Sequence, residues 1–214
     1  MAEFILVIGN KNYSSWSMRP WLVMKHLGID FEEILIPLYR AESKAEILKH
    51  SPSGKVPTLI HRGAAIWDSL AICEYLAESF PAAHLWPQDR TARARARSIS
   101  AEMHSGFQNL RQTMGMDLRA SRPDHKQTPE AAADIERIVA IWNGCRAEFG
   151  ASGEFLFGDF TIADAMYAPV VTRFTTYGVK LDPVCERYSR AVWALPAMRE
   201  WCEAGVREPW TIEF

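Results

Sequence analysis

Apolar residues change their spacing along the chain, and the change predicts two kinds of structure. Phe4 to Gly9 is a short, almost continuous apolar run closed by Gly-Asn, the profile of a strand buried on both faces. The polar loop Lys11-Asn12-Tyr13-Ser14-Ser15-Trp16-Ser17 follows. Met18 to Leu27 is then a largely apolar helix, with Pro20 tolerated in a first turn and Gly28 placed to end it. Phe31 to Leu38 alternates loosely as a second strand, reached through one helix in the order of a right-handed crossover. Tyr39 to His50 is charged and reads as irregular or briefly helical. Two further strands flank Arg62-Gly63-Ala64, and a helix runs from Leu70 to Ser79.

Pro81 to Asp89 interrupts this pattern, and strand signals vanish beyond it. Thr91 to Met116 spaces Ile99, Met103, Phe107 and Leu110 by three to four residues, which predicts one amphipathic helix. Thr128-Pro129 opens another, running through Ile135, Ile138, Ile141 and Trp142 to Phe149. In Gly158-Asp159-Phe160-Thr161-Ile162-Ala163-Asp164 the threonine and the second aspartate have the spacing of an acidic capping box. Losing such a cap costs about 1 kcal/mol, and the helix it starts buries Ala165, Ala168 and Val171. The expected organisation is a small α/β domain over 1–80, a linker over 81–90 and an all-helical domain over 91–214.

Chemistry concentrates between Ser53 and Ser69. Pro57 lacks the N–H that a central ladder uses, so it belongs at a strand's entry or edge and is a candidate cis residue. Such a bond turns the N–H and C=O of Val56 outward, toward an extended peptide laid along the sheet edge. Asp68-Ser69 opens the next helix and offers a carboxylate, a hydroxyl and free helix N–H groups.

Composition narrows the field. The 214 residues are 48% hydrophobic with a net charge of −2, enough for a packed core and no electrostatic reason to bind nucleic acid. No apolar run is long enough to span a bilayer, and the start reads as a mature strand without a leader, so a cytoplasmic protein is expected. Cys73, Cys145, Cys185 and Cys202 are far apart and read as core residues, with neither a zinc site nor a redox dithiol. The six histidines have no ligand spacing, so no metal and no catalytic histidine is expected. Trp21, Trp67 and Trp86 read as core, and Trp16, in the first loop, as a pocket wall. Arg93, Arg95 and Arg97 point different ways on their helix and read as solvated, with Arg97 able at most to reach a partner subunit.

The Val-Pro strand entry, the Asp-Ser cap, the Gly-x-x-Thr-x-Ala-Asp box and the serines before the first helix together resemble the cytosolic glutathione S-transferases, over the whole chain. The loop Ser14-Ser15-Trp16-Ser17-Met18-Arg19 looks most like the zeta class, which includes maleylacetoacetate isomerases. The resemblance implies a thioredoxin-like N-terminal domain with a mixed four-stranded sheet, followed by an all-α helical bundle. It also implies a transferase of alkyl or aryl groups other than methyl, with glutathione as co-substrate, a small electrophile, a homodimer and no membrane. The alternatives are a glutathione-dependent isomerase and a non-catalytic interaction protein of the same fold.

By that resemblance Ser14, from its place in the zeta-like motif, is the first choice to stabilise the glutathione thiolate, by a hydrogen bond and the positive end of the first helix, and Ser15, four residues before Arg19, is the second. Lys55 takes the glycyl carboxylate, Val56 beside Pro57 the cysteinyl backbone, and Asp68 with Ser69 the γ-glutamyl end, while Trp16 borders the electrophile. Trp16 stands where the zeta motif has cysteine, which removes the thiol used for thiol transfer. The zeta-class substrate arginine falls near Thr176, with Arg173 one helical turn away.

Overall fold

The four-stranded sheet has the order β2 (Glu32–Leu35), β1 (Phe4–Ile8), β3 (Thr58–His61), β4 (Ala64–Trp67), with β1 inside it. It pairs parallel with β2, from Ile5 opposite Glu32 to Ile8 opposite Leu35. On its other side it pairs antiparallel with β3, which continues into β4. Both residues of the connecting turn have positive φ, 50° at Arg62 and 80° at Gly63, as a tight two-residue hairpin requires. β1 is buried on both faces because its side chains alternate between two cores. Phe4, Leu6 and Ile8 join the main core, whereas Val7 packs with Ile36 and Ile47 on the other side. The computed structural model describes residues 3–212, so Met1, Ala2, Glu213 and Phe214, at the limits of the two expected domains, lie outside the described residues.

Helix α1 (Ser15–His26) supplies the parallel crossover, α2 (Ser43–Leu48) covers the minor core, and α3 (Ser69–Ser79) returns over the main face. After a short 3-10 turn at Pro81–Ala83 the described chain is predominantly helical: α4 (Arg90–Ser105), α5 (Gln108–Thr113), α6 (Pro129–Phe149), α7 (Ile162–Thr176), α8 (Pro183–Ala194) and α9 (Pro196–Arg207). The expected fold, a mixed sheet with helices followed by a helical bundle, is the observed one.

One helix expected over Thr91 to Met116 is instead two. The chain breaks after α4 at Gly106, in extended backbone, and Phe107, at φ 56°. A Cβ on Gly106 would stand 2.8 Å from the Glu102 carbonyl oxygen, and the carboxylate of Asp134 receives the Leu110 N–H at 2.9 Å in the new turn. Apolar spacing survives the break, which is why periodicity alone reads through it. The box at the start of α7 is present: Asp164 accepts from the Thr161 N–H at 2.8 Å and the Thr161 hydroxyl at 3.0 Å, and also from the Leu156 N–H at 3.1 Å. Ala165, Ala168 and Val171 follow as fully buried residues.

Candidate functional site

A cleft of about 660 Å³ opens where the sheet edge meets α1, α3 and α4. Its walls are Trp16, Ser53, Lys55, Val56, Pro57, Trp67, Asp68, Ser69 and His104. The five residues read from the sequence as holding the peptide, Lys55, Val56, Pro57, Asp68 and Ser69, are among them, and so is Trp16. The Val56-Pro57 bond is cis, and among the described residues no backbone group pairs with the N–H or C=O of Val56, which lies just before β3. Lys55 is exposed beside it. The cleft therefore presents, in a row, an ammonium, an unpaired peptide edge and the carboxylate of Asp68.

Asp68 has two tasks. At φ 76° and ψ 131° it caps α3, with Oδ1 accepting from the N–H groups of Leu70 (2.9 Å) and Ala71 (3.2 Å). Its Oδ2 lies 3.0 Å from Nε2 of His104. Burial holds the His104 imidazole below its ordinary range, against the opposing pull of Asp68, so the neutral ring donates from Nε2. Sequence reading gave this histidine no role, because helical spacing on α4 does not reveal that its neighbour in space is a cap on α3. Trp67 was read as core but is 47% exposed on the edge strand, where it forms part of the cleft wall.

The two serines stand behind Trp16, outside the cleft wall, at 5% and 6% exposure. Ser14 holds the N-cap position of α1, yet its hydroxyl caps nothing: it donates to the Ser17 oxygen at 2.7 Å, which also receives the Gly9 N–H at 3.2 Å. The Ser15 oxygen instead accepts from Nη2 of Arg173 at 3.2 Å. A hydroxyl that accepts from a guanidinium keeps its own proton available to donate. Thr176, at the counted arginine position, turns away and donates to the Asp117 carbonyl at 3.2 Å.

Two arginines flank the ring of Trp16, and a third, Arg173, reaches the neighbouring Ser15. Arg19 lies 4.3 Å and Arg111 5.3 Å from the Trp16 ring, and His104 meets it edge-on at 5.2 Å. Arg19 and Arg173 are 1% and 4% exposed, and Nε of Arg19 and Nη1 of Arg173 have no hydrogen-bond partner. Burial first, and then the nearby Arg173 and Arg111, pull the Arg19 guanidinium down to about 9. Burial and Arg111 pull Arg173 down to about 10. Both remain cationic at neutral pH. A buried cation without an anionic partner is costly.

Residues 13–79 match the family model of the glutathione S-transferase N-terminal domain, and residues 106–204 that of the glutathione S-transferase C-terminal domain. The chain belongs to the glutathione S-transferase family. A probable maleylacetoacetate isomerase of Caenorhabditis elegans is 31% identical over 172 residues, 79% of this chain and 78% of that protein. The maleylacetoacetate isomerase of Rattus norvegicus is 31% identical over 192 residues, 86% and 85% of the two chains. A glutathione transferase homolog from Burkholderia, solved with bound glutathione, superposes with a TM-score of 0.72 at 27% identity, covering 94% of this chain and 97% of that one. As a family member, the chain departs from the zeta-like motif at Trp16, which stands among the arginines where the motif has a thiol.

Proposed function

We propose that this glutathione S-transferase binds glutathione along the Lys55-Val56 edge, stabilises its thiolate with Ser15, and adds the sulfur to a small electrophile. The observation that carries the reading is the cleft itself, a peptide edge between an ammonium and a carboxylate, ending at Trp16 on the first turn of α1. Lys55 would take the glycyl carboxylate, Val56 the cysteinyl backbone, and Asp68 and Ser69 the γ-glutamyl end. A relative solved with glutathione supports the same ligand.

A cysteine-type thiol ionises at about 8.5, so the enzyme must favour the anion at neutral pH. Three features act in that direction: the Ser15 hydroxyl, the N-terminus of α1 and the uncompensated charge of Arg19 and Arg173. The thiol proton leaves to solvent. The sulfur lone pair then forms a C–S bond with the electrophilic carbon, and either a leaving group departs or water protonates the adduct. Held close to the thiolate, the electrophile reacts as if intramolecularly.

The two serines separate by experiment. Ser15→Ala is expected to lower kcat/KM about 100-fold and to remove the thiolate absorbance of bound glutathione. Ser14→Ala, which loses a tie to Ser17, is expected to cost less than about tenfold. The reverse order would overturn the assignment to Ser15, and no calorimetric binding of glutathione at millimolar concentration would replace the enzyme with an interaction protein. A second reading, glutathione-dependent isomerisation, is favoured by the two isomerase relatives and by the guanidinium of Arg173 beside Ser15; turnover of maleylacetone in an electrophile panel tests it. We also infer a cytoplasmic homodimer, and sedimentation at the mass of one chain would remove the dimer.

A further inference from the structure

The loop that carries the serines is held from the far end of the sequence. We propose that α9 and the segment after it form a clamp that sets the position of Ser14 and Ser15, with Glu208 as its positioning residue; the catalytic part of this inference rests on the role proposed above for the serines. The buried carboxylate of Glu208 accepts from two consecutive loop amides, Lys11 N–H at 2.6 Å and Asn12 N–H at 3.1 Å. The Trp201 indole N–H donates to the Lys11 carbonyl at 2.9 Å, so one peptide unit is gripped from both sides. Gly205 lies so close that a Cβ would stand 3.0 Å from the Asn12 nitrogen and from the Lys11 carbonyl carbon. Three residues of one C-terminal stretch thus converge on two residues of the loop.

The grip is transmitted over a very short path. Asn10 accepts from the N–H groups of Tyr13 (3.1 Å) and Ser14 (2.7 Å), which folds residues 10 to 14 into one tight turn. A shift of the Lys11-Asn12 amides therefore moves Ser14 and Ser15 with them. The clamp has its own fastening. Arg119 donates to the carbonyls of Glu208 (3.1 Å) and Trp210 (2.8 Å) and to the Tyr13 hydroxyl (2.7 Å), and the Ile212 N–H reaches that hydroxyl at 3.2 Å. Lys11 itself is steered away from Glu208, toward Glu33 at 2.6 Å, between the rings of Trp21 and Trp201. The carboxylate of Glu208 is thus free for the backbone.

None of the residues that line the peptide cleft belongs to this clamp, which gives it a distinct signature. Displacing a catalytic donor by a fraction of an ångström lowers turnover without removing the binding groups. The variant Glu208→Gln keeps the shape but sets an amide NH₂ against a backbone N–H. It is expected to lower kcat about tenfold and to raise the apparent pKa of the bound glutathione thiol, with glutathione Kd changed by less than about twofold. Hydrogen exchange of residues 10–15 is expected to accelerate about tenfold in Glu208→Gln, and likewise in Gly205→Ala, whose methyl would press on the Lys11-Asn12 peptide. Unchanged exchange in both variants overturns the clamp, whatever the protein binds. Faster exchange with unchanged kcat and thiol pKa overturns the positioning role and leaves a structural tie. If the wild-type protein binds no glutathione, the reading of the site fails on its own account, and the catalytic role of the clamp fails with it.

Discussion

Asp164 shows how burial and hydrogen bonding compete at one side chain. Three donors favour its carboxylate, yet complete burial outweighs them and pushes the acid up to about 6. An acid raised above its unfolded value stabilises the fold while it is protonated, and that contribution is lost as pH rises through about 6. The contribution is about 3 kcal/mol between pH 4 and 7, so urea denaturation is expected to show it as a loss of stability over that window. Asp164→Asn is expected to flatten this part of the profile. A wild-type profile parallel to that of Asp164→Asn would refute the account. The box was legible in the sequence because its two members are three residues apart. His104 and the arginines at Trp16 were not legible, since Arg19, His104 and Arg111 meet the ring from α1, α4 and α5.

At the scale of elements, the break between α4 and α5 decides which side chains reach the cleft. Gly106 allows His104 to end one helix facing Asp68 while Arg111, on the next, approaches the other members of the Trp16 group. Arg111 also donates to the carbonyls of Met103 and His104, closing the end of α4. Gly106→Ala would press a methyl against the Glu102 carbonyl, and a cost of about 1 to 3 kcal/mol is expected by chemical denaturation. Glutathione binding is expected to weaken with it, because His104 moves from Asp68; unaltered stability and binding would show the break to be incidental. Most strands and helices were legible from period and punctuation: the Arg62-Gly63 turn, the Thr128-Pro129 start of α6 and the Asp68 cap of α3 are all local chemistry. The α4 break was missed because Ile99, Met103, Phe107 and Leu110 are all buried on both sides of it, so the apolar spacing never faltered.

Across the whole molecule, α1 is the shared element. Its buried residues join the sheet residues Phe4, Leu6 and Ile8 to Trp142 of α6, Phe174 of α7 and Trp201 of α9 in one continuous core. The same helix begins with the serines, so the core and the proposed chemistry depend on a single orientation. The peptide edge was legible because its parts lie within Ser53 to Ser69. The other half of the site was not, since Arg173 comes to Ser15 from 158 residues away and Glu208 to Lys11 from 197.

Trp16 has an optical consequence. The chain has eight tryptophans; among the described residues only Trp16 and Trp67 border the cleft, and Trp16 has two guanidinium groups near its ring. Its emission depends on the charge and water around the ring, so filling the cleft should change the protein's fluorescence at the position of the missing thiol. Titration of glutathione into the wild-type protein and Trp16→Phe isolates that signal by difference. Identical titrations would place the ligand away from the indole. A family member that lacks the motif cysteine would then carry, in its place, a built-in fluorophore for the occupancy of its own site.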